Sequence, residues 1–341
     1  GAPRAGRNRL MSDPQALPRA PRIKRQLLDV HGILLLDKPV GLTSNRALQE
    51  AKRLLLARKA GHTGSLDPLA SGLLPLCFGE ATKVSRFLLE ADKRYRAVFR
   101  LGASTATGDS EGEVLETRPV TVSRREIETA IQHFTGPIEQ VPPMYSAIKQ
   151  DGQPLYKLAR AGIVTERAPR PVTVYEFTVI DLVGQSLTVD ISCSKGTYIR
   201  SLAHDLGELL GCGAHVAELR RTAMGGFTVD ETISLEAFAA LPGQKERAAR
   251  LIPADQAGRA LPQVGLSANA AFYFGQGQTV YRYTDPDGRV VYADHPPLNA
   301  KDVEAKRLTP NYIEIDPASL ATQKAQERFP VTLYTFSCGE V

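Results

Sequence analysis

Gly61-His62-Thr63-Gly64-Ser65-Leu66-Asp67-Pro68-Leu69-Ala70-Ser71-Gly72 lies between two apolar segments of a 341-residue chain. Pro68 narrows the backbone freedom of Asp67, and the glycines let another segment or a ligand come close. A lone Asp-Pro ordinarily closes a turn, its carboxylate capping a nearby N–H. Here His62 stands five residues before Asp67, and Thr63, Ser65 and Ser71 add hydroxyls. So much polar chemistry between apolar elements predicts a site as well as a turn. Residues 59–72 are too irregular for a helix or strand and read as a loop.

Outward from this loop, Gly32–Asp37 reads as a buried strand that Pro39 and Gly41 break. Ser44 is placed to cap a helix over Asn45–Arg58, where Ala47, Leu48, Ala51, Leu54 and Leu55 repeat with helical period. Gly72–Phe78 is a short apolar run, and Ala81–Leu89 reads as a helix. Tyr95–Leu101 alternates, with Tyr95, Ala97, Phe99 and Leu101 on the apolar side of a half-buried strand. Glu126–Phe134 reads as a helix capped by Ser123, Gly136–Asp151 as an irregular proline-bearing loop, and Lys157–Ala161 as a helical turn. Val172–Val183 and Gln185–Cys193 read as paired strands, and Tyr198–Leu210 as a helix ended by Gly211. Strands and helices without regular βαβ alternation predict an α+β fold.

The chain is 43% hydrophobic, enough for an ordinary core, and its formal charge of +5 favours a nucleic-acid partner. Residues 1–25 set seven basic side chains against Asp13 alone, so residues 1–30 are expected to be a disordered, solvated tail. Met11 is a candidate start. The tail lacks the apolar core of a signal peptide, and no run approaches the roughly 20 apolar residues of a membrane helix. A soluble cytoplasmic protein without membrane contact is expected. Cys77, Cys193, Cys212 and Cys338 are scattered, with no C-x-x-C pair, which argues against a metal site and a disulfide framework. Cys77 and Cys193 read as small buried hydrophobes. With no G-x-G-x-x-G or Walker sequence, no nucleotide cofactor is expected. Composition shifts after residue 242, placing a domain boundary within 240–260.

The stretch from Gly61 to Pro75 resembles the catalytic motif of the TruB family, bacterial tRNA pseudouridine-55 synthases. Companion motifs fall in the same order and spacing: Leu36-Asp37-Lys38-Pro39-Val40-Gly41, Gly79-Glu80-Ala81-Thr82-Lys83, Lys93-Arg94-Tyr95, Val141-Pro142-Pro143-Met144-Tyr145-Ser146-Ala147, Gly196-Thr197-Tyr198-Ile199-Arg200-Ser201-Leu202 and His215-Val216-Ala217-Glu218-Leu219-Arg220-Arg221. The resemblance runs over residues 31–265. It implies a catalytic domain over 31–250 with a mixed, largely antiparallel sheet flanked by helices, and a thumb-like insertion over 137–171. It also implies isomerisation of uridine to pseudouridine at position 55 of the tRNA T loop, with the T arm as partner and neither metal nor cofactor; a monomer is expected.

The same resemblance suggests roles. Asp67 is the essential carboxylate, suited to a sugar C1′ that develops positive charge as its bond to the base breaks. Attack at C1′ and removal of a sugar proton to give a glycal are both open. Arg200 is expected to keep Asp67 ionised. Tyr95 would stack on the target base and serve as acid/base for the C5 proton, and Leu219 would pack against the flipped uracil. His62 would take the place of the extruded base in the RNA. Lys38, Lys83 and Arg220 are candidates for phosphate or loop support, and Asp109 and Tyr198 for support of the site. Two other readings use these residues: a synthase with another RNA target, and a non-catalytic tRNA-binding chaperone. The chaperone reading leaves a buried carboxylate beside anionic RNA without a purpose.

Past residue 265 the resemblance stops, and residues 251–341 are expected to form a truncated or aberrant PUA-like, β-rich region. Val280–Asp294 reads as a hairpin around Asp287-Gly288 and resembles a small domain of exported bacterial proteins. Phe329–Cys338 resembles the first strand of a glutaredoxin-like module. A divergent tail and a join of two genes are both compatible with this pattern.

Overall fold

The structure, a computed structural model, describes residues 26–150, 152–163, 165–261, 272, 280–284, 290–293 and 301–306. One ten-stranded sheet organises residues 26–261. Its strands are β1 (Gly32–Lys38), β2 (Ala60–His62), β3 (Ser71–Phe78), β4 (Lys93–Leu101), β5 (Gly136–Gln140), β6 (Arg170–Val183), β7 (Ser186–Cys193), β8 (Ala214–Met224), β9 (Phe227–Thr228) and β10 (Ile233–Ser234). They run in the order β10-β1-β3-β8-β4-β7-β6-β5, with β2 added to β3 and β9 to β8. Only β1–β10 and β3–β8 pair parallel, so the sheet is mixed and largely antiparallel, as expected.

Helices α1 (Ser44–Leu54), α2 (Ser85–Glu90), α3 (Arg124–Ile131), α4 (Leu155–Arg160) and α5 (Ile199–Leu209) surround it. The main core includes Leu34, Leu36, Leu48, Phe99, Ile127, Ile191 and Leu206, which tie α1, α3 and α5 to the sheet. A smaller core holds Ile33, Leu35, Leu73, Cys77, Leu88 and Phe227. The apolar run of β1 is explained by this arrangement: alternate side chains feed the two cores. At roughly 1.5–3 kcal/mol for each buried Leu or Ile, β1 is a strand the unit cannot lose.

Several boundaries differ from expectation. The first helix stops at Leu54, short of Arg58, because Leu56 adopts φ 50° and Ala57 pairs with Leu28. Ordered packing therefore begins inside the stretch expected to be a tail; residues 1–25 lie outside the described ones. Thr43, not Ser44, caps α1, its hydroxyl accepting from Arg46 N at 3.1 Å. The stretch Ala81–Leu89 divides into a 3₁₀ turn at Gly79–Lys83 and α2. Gly136–Gln140 is a strand despite Pro137, because β5 is the sheet edge, where a missing N–H is tolerated. The capping box at Ser123 and Glu126 forms as its sequence suggests.

Ile252 bonds to Ile33 in both directions, at 2.9 Å each, so the chain just past residue 250 packs on β1. Strands at Val280–Thr284, Val290–Ala293 and Lys301–Lys306 form a separate three-stranded sheet with the first in the middle. The expected Asp287-Gly288 turn and Cys338 lie outside the described residues. Cys77, Cys193 and Cys212 are buried free thiols, and burial pushes Cys77 up to about 12.

Candidate active site

The motif loop is held by backbone and hydroxyl groups. Ser44 Oγ accepts from Leu66 N at 2.7 Å and donates to Leu66 O at 3.0 Å. Gly41 N donates to Pro68 O at 2.8 Å, and Ala70 N to Asp67 O at 3.0 Å. At its end, Gly72 has φ +100° and lies against β8 so closely that a Cβ would collide with the Arg221 carbonyl oxygen. The turn is thus closed by main-chain groups, and the Asp67 carboxylate is left to point at Arg200.

Arg200, in the first turn of α5, is 5% exposed. Its Nη2 lies 3.0 Å from Asp67 Oδ2 and donates to Tyr145 O at 2.7 Å. Nη1 donates to Thr107 O at 2.8 Å, and Nε lies 3.7 Å from buried Asp109 Oδ2. Asp109 Oδ1 in turn accepts from the Thr107 hydroxyl and from Glu111 N at 3.1 Å. The three charges therefore alternate, Asp109–Arg200–Asp67. The Asp67 side chain is 43% accessible and so open to an incoming ligand, with protein replacing water behind it. Burial raises its pKa, Arg200 opposes the rise, and Asp109 adds to it; the net direction is up. Arg200 limits the loss of charge at Asp67 rather than reversing it.

Tyr95, on β4, is buried, which raises its phenol pKa. Leu219 is half-buried on the neighbouring β8, opposite Ala97. His62 ends β2; burial and nearby Arg221 lower its pKa, and its Nδ1 has no hydrogen-bond partner among the described residues. The backbone of Tyr198 is clamped by one side chain: its N donates to Gln140 Oε1 at 2.7 Å, and Gln140 Nε2 donates to its O at 3.1 Å. These bonds, with Ser201 Oγ donating to Val141 O at 2.9 Å, tie the root of the 137–171 segment to the start of α5.

The basic candidates divide. Lys38 is fully buried and donates to Pro39 O at 2.9 Å and Leu42 O at 2.5 Å, so it supports the loop and does not face solvent. Burial lowers its pKa to about 8, against the pull of Asp67. Arg220 clamps the end of β1 to the start of β3 through two bonds to Asp37, at 3.0 and 2.8 Å, and one to Ser71 Oγ at 3.3 Å. Lys83 is exposed, pairs with Glu80 at 2.5 Å, and follows the far end of β3, so the fold does not bring it to Asp67.

Two buried cations escaped the sequence reading. Arg221, 1% exposed, donates from Nε to Leu73 O at 2.7 Å and from Nη2 to Gly64 O at 3.1 Å. Lys93 donates to Leu89 O at 3.0 Å and to Ala91 O, and burial followed by Arg221 lowers it to about 8. The signal was present in Arg220-Arg221, since strand alternation turns one of two consecutive side chains inward. Among the described residues, no group of three or more His, Cys, Asp or Glu is placed to share a metal ion.

Residues 52–199 match the TruB family pseudouridylate synthase N-terminal domain, and residues 200–257 match the tRNA pseudouridylate synthase B C-terminal domain. Together with the sheet and the carboxylate–arginine cluster, these matches define a pseudouridylate synthase. A tRNA pseudouridine synthase B of Ectopseudomonas mendocina (strain ymp) is 55% identical over 278 residues, 80% of this chain and 91% of the relative. One from Cupriavidus metallidurans is 55% identical over 282 residues, 82% of this chain and 88% of the relative. Among solved structures, a Cbf5-Nop10-Gar1 complex aligns at TM-score 0.57 and 32% identity, covering 73% of this chain and 68% of that one. The chain belongs to the TruB family. Residues 275–326 match a different model, a domain of unknown function (DUF4124), in the region where the resemblance had stopped.

Proposed function

We propose that the chain isomerises uridine to pseudouridine in tRNA, at position 55 of the T loop, as a cytoplasmic monomer. The observation that carries this reading is the accessible Asp67 carboxylate, held 3.0 Å from a buried arginine that a second carboxylate backs. A binding surface for RNA gains nothing from a partly desolvated carboxylate; a reaction at C1′ does. The target base has to leave its stack. Half-buried His62, with an unpartnered ring nitrogen, is suited to fill the gap. Tyr95 and Leu219 on adjacent strands supply an aromatic and an aliphatic wall for the extruded uracil.

With the base seated, Asp67 acts at the sugar, the glycosidic bond breaks, the uracil turns, and C5 joins C1′. Both routes at the sugar need Asp67 ionised, which gives Arg200 and Asp109 their purpose. The 137–171 segment is bonded at its root to Arg200 and Ser201, and in this reading it is the part that closes over the T arm. Among the described residues, no helix is long and apolar enough to cross a membrane.

The test uses the full chain and an unmodified tRNA transcript tritiated at uridine C5. Tritium release with pseudouridine at position 55 is expected. Binding without release would overturn the reading in favour of a chaperone, and pseudouridine elsewhere would overturn the assigned target.

A further inference from the structure

Arg221 is the largest fully buried side chain among the described residues, and its hydrogen bonds run to two backbone carbonyls, Leu73 O and Gly64 O. These carbonyls lie on opposite sides of the motif loop, so the guanidinium is fixed relative to Asp67. Across the β8–β4 pairing Arg221 stands directly opposite Tyr95, on the shared buried face. The groups facing Tyr95 are Arg221 from β8, Cys193 from β7 and Asp67 from the loop, and of these only Arg221 is cationic. The Arg221 charge also reaches Lys38, Lys93 and His62.

We infer that Arg221 is a positioning residue that acts through Tyr95, orienting its hydroxyl and holding the negative charge that oxygen carries while a proton moves at uracil C5. The inference rests on the proposed reaction. When the base leaves C1′, the phenol gives its proton to the ring nitrogen that lost the bond. After C5 joins C1′, the phenolate takes the C5 proton, and the C–H electron pair restores the ring double bond. Tyrosine returns to its starting form, and no electrons leave. Burial and the nearby Asp67 carboxylate make the Tyr95 phenol resist losing its proton; a fixed guanidinium in low dielectric offsets that resistance at the moment it matters.

The test is a double-mutant cycle in single-turnover C5 tritium release: wild type, Arg221→Gln, Tyr95→Phe and both together. Arg221→Gln is expected to slow release about 10²-fold, to raise the C5 isotope effect above that of the wild type, and to leave tRNA affinity unchanged. In the Tyr95→Phe background the same change is expected to cost nothing further. Equal losses in both backgrounds, or a slower rate with an unchanged isotope effect, would overturn the inference. If Arg221→Gln does not fold, Arg221→Lys serves instead: it keeps the charge, so a retained pH profile supports the inference and a loss independent of Tyr95 overturns it. Inactivity of wild type on every tRNA would instead strike the underlying reaction.

Discussion

Two clusters of buried charge lie against the motif loop, and they are built on opposite rules. Asp109, Arg200 and Asp67 alternate in sign, so each charge offsets the desolvation of its neighbour. Lys38, Lys93 and Arg221 share one sign, and their hydrogen bonds go to backbone carbonyls. The first arrangement fixes the accessible Asp67 carboxylate against a buried arginine. The second locks strand ends and loop carbonyls while leaving a positive field beside the motif loop. Burial raises Asp67 and lowers Lys38 and Lys93, which is the direction desolvation dictates for each sign. The paired cluster is therefore expected to govern chemistry at Asp67, and Lys38 and Lys93 of the carbonyl-bound cluster to govern stability, with Arg221 serving Tyr95 as well.

The largest effect should come from Asp67→Asn, which keeps the shape and removes the charge: release of C5 tritium falls about 10⁴-fold or more, while circular dichroism is unchanged. Arg200→Lys is expected to lower turnover about 10²-fold, with tRNA affinity in a filter-binding assay nearly unaffected; equal losses in both would contradict the electrostatic role of Arg200. Asp109→Asn loosens Arg200 from behind and should cost about tenfold, by misplacing a reacting group without removing it. Lys38→Met breaks the comparison from the other side. It leaves Pro39 and Leu42 carbonyls without their donor, so a loss of about 1–3 kcal/mol in urea unfolding is expected. Deleting residues 279–341 should leave turnover on an isolated T-arm hairpin unchanged.

Much of this division was legible in the sequence, and the gaps have identifiable causes. The α+β class followed from helical and strand periodicities that never alternate regularly, and Asp67, Arg200 and Asp109 do form one cluster, with Tyr95 near Asp67. Local pattern misled where pairing decides. His62 sits in a three-residue strand too short to show a period, and β5 exists only because β6 is there to receive it. For Lys38 and Arg220 the sequence leaves phosphate and loop support both open, because charge alone does not say which way a side chain turns. Their real partners, Leu42 O and Asp37, are set by how β1 ends against β3, which no single stretch reveals. Arg221 was missed for the same reason: the inward member of a consecutive arginine pair is chosen by register. The region past 265 was legible as a departure, and its match to DUF4124 names that departure without assigning it a part in the site.

The central claim is that Asp67 works as an ionised carboxylate whose charge Arg200 defends against burial. Its sign is definite: a raised pKa means the active form is lost as pH falls, and lost earlier than for an ordinary aspartate. The direct measurement is the single-turnover rate against pH for wild type and Arg200→Gln, which removes the charge. The account predicts an acid limb above the usual aspartate range in wild type, moved to still higher pH in the variant. An acid limb that stays in place when Arg200 is replaced would contradict it.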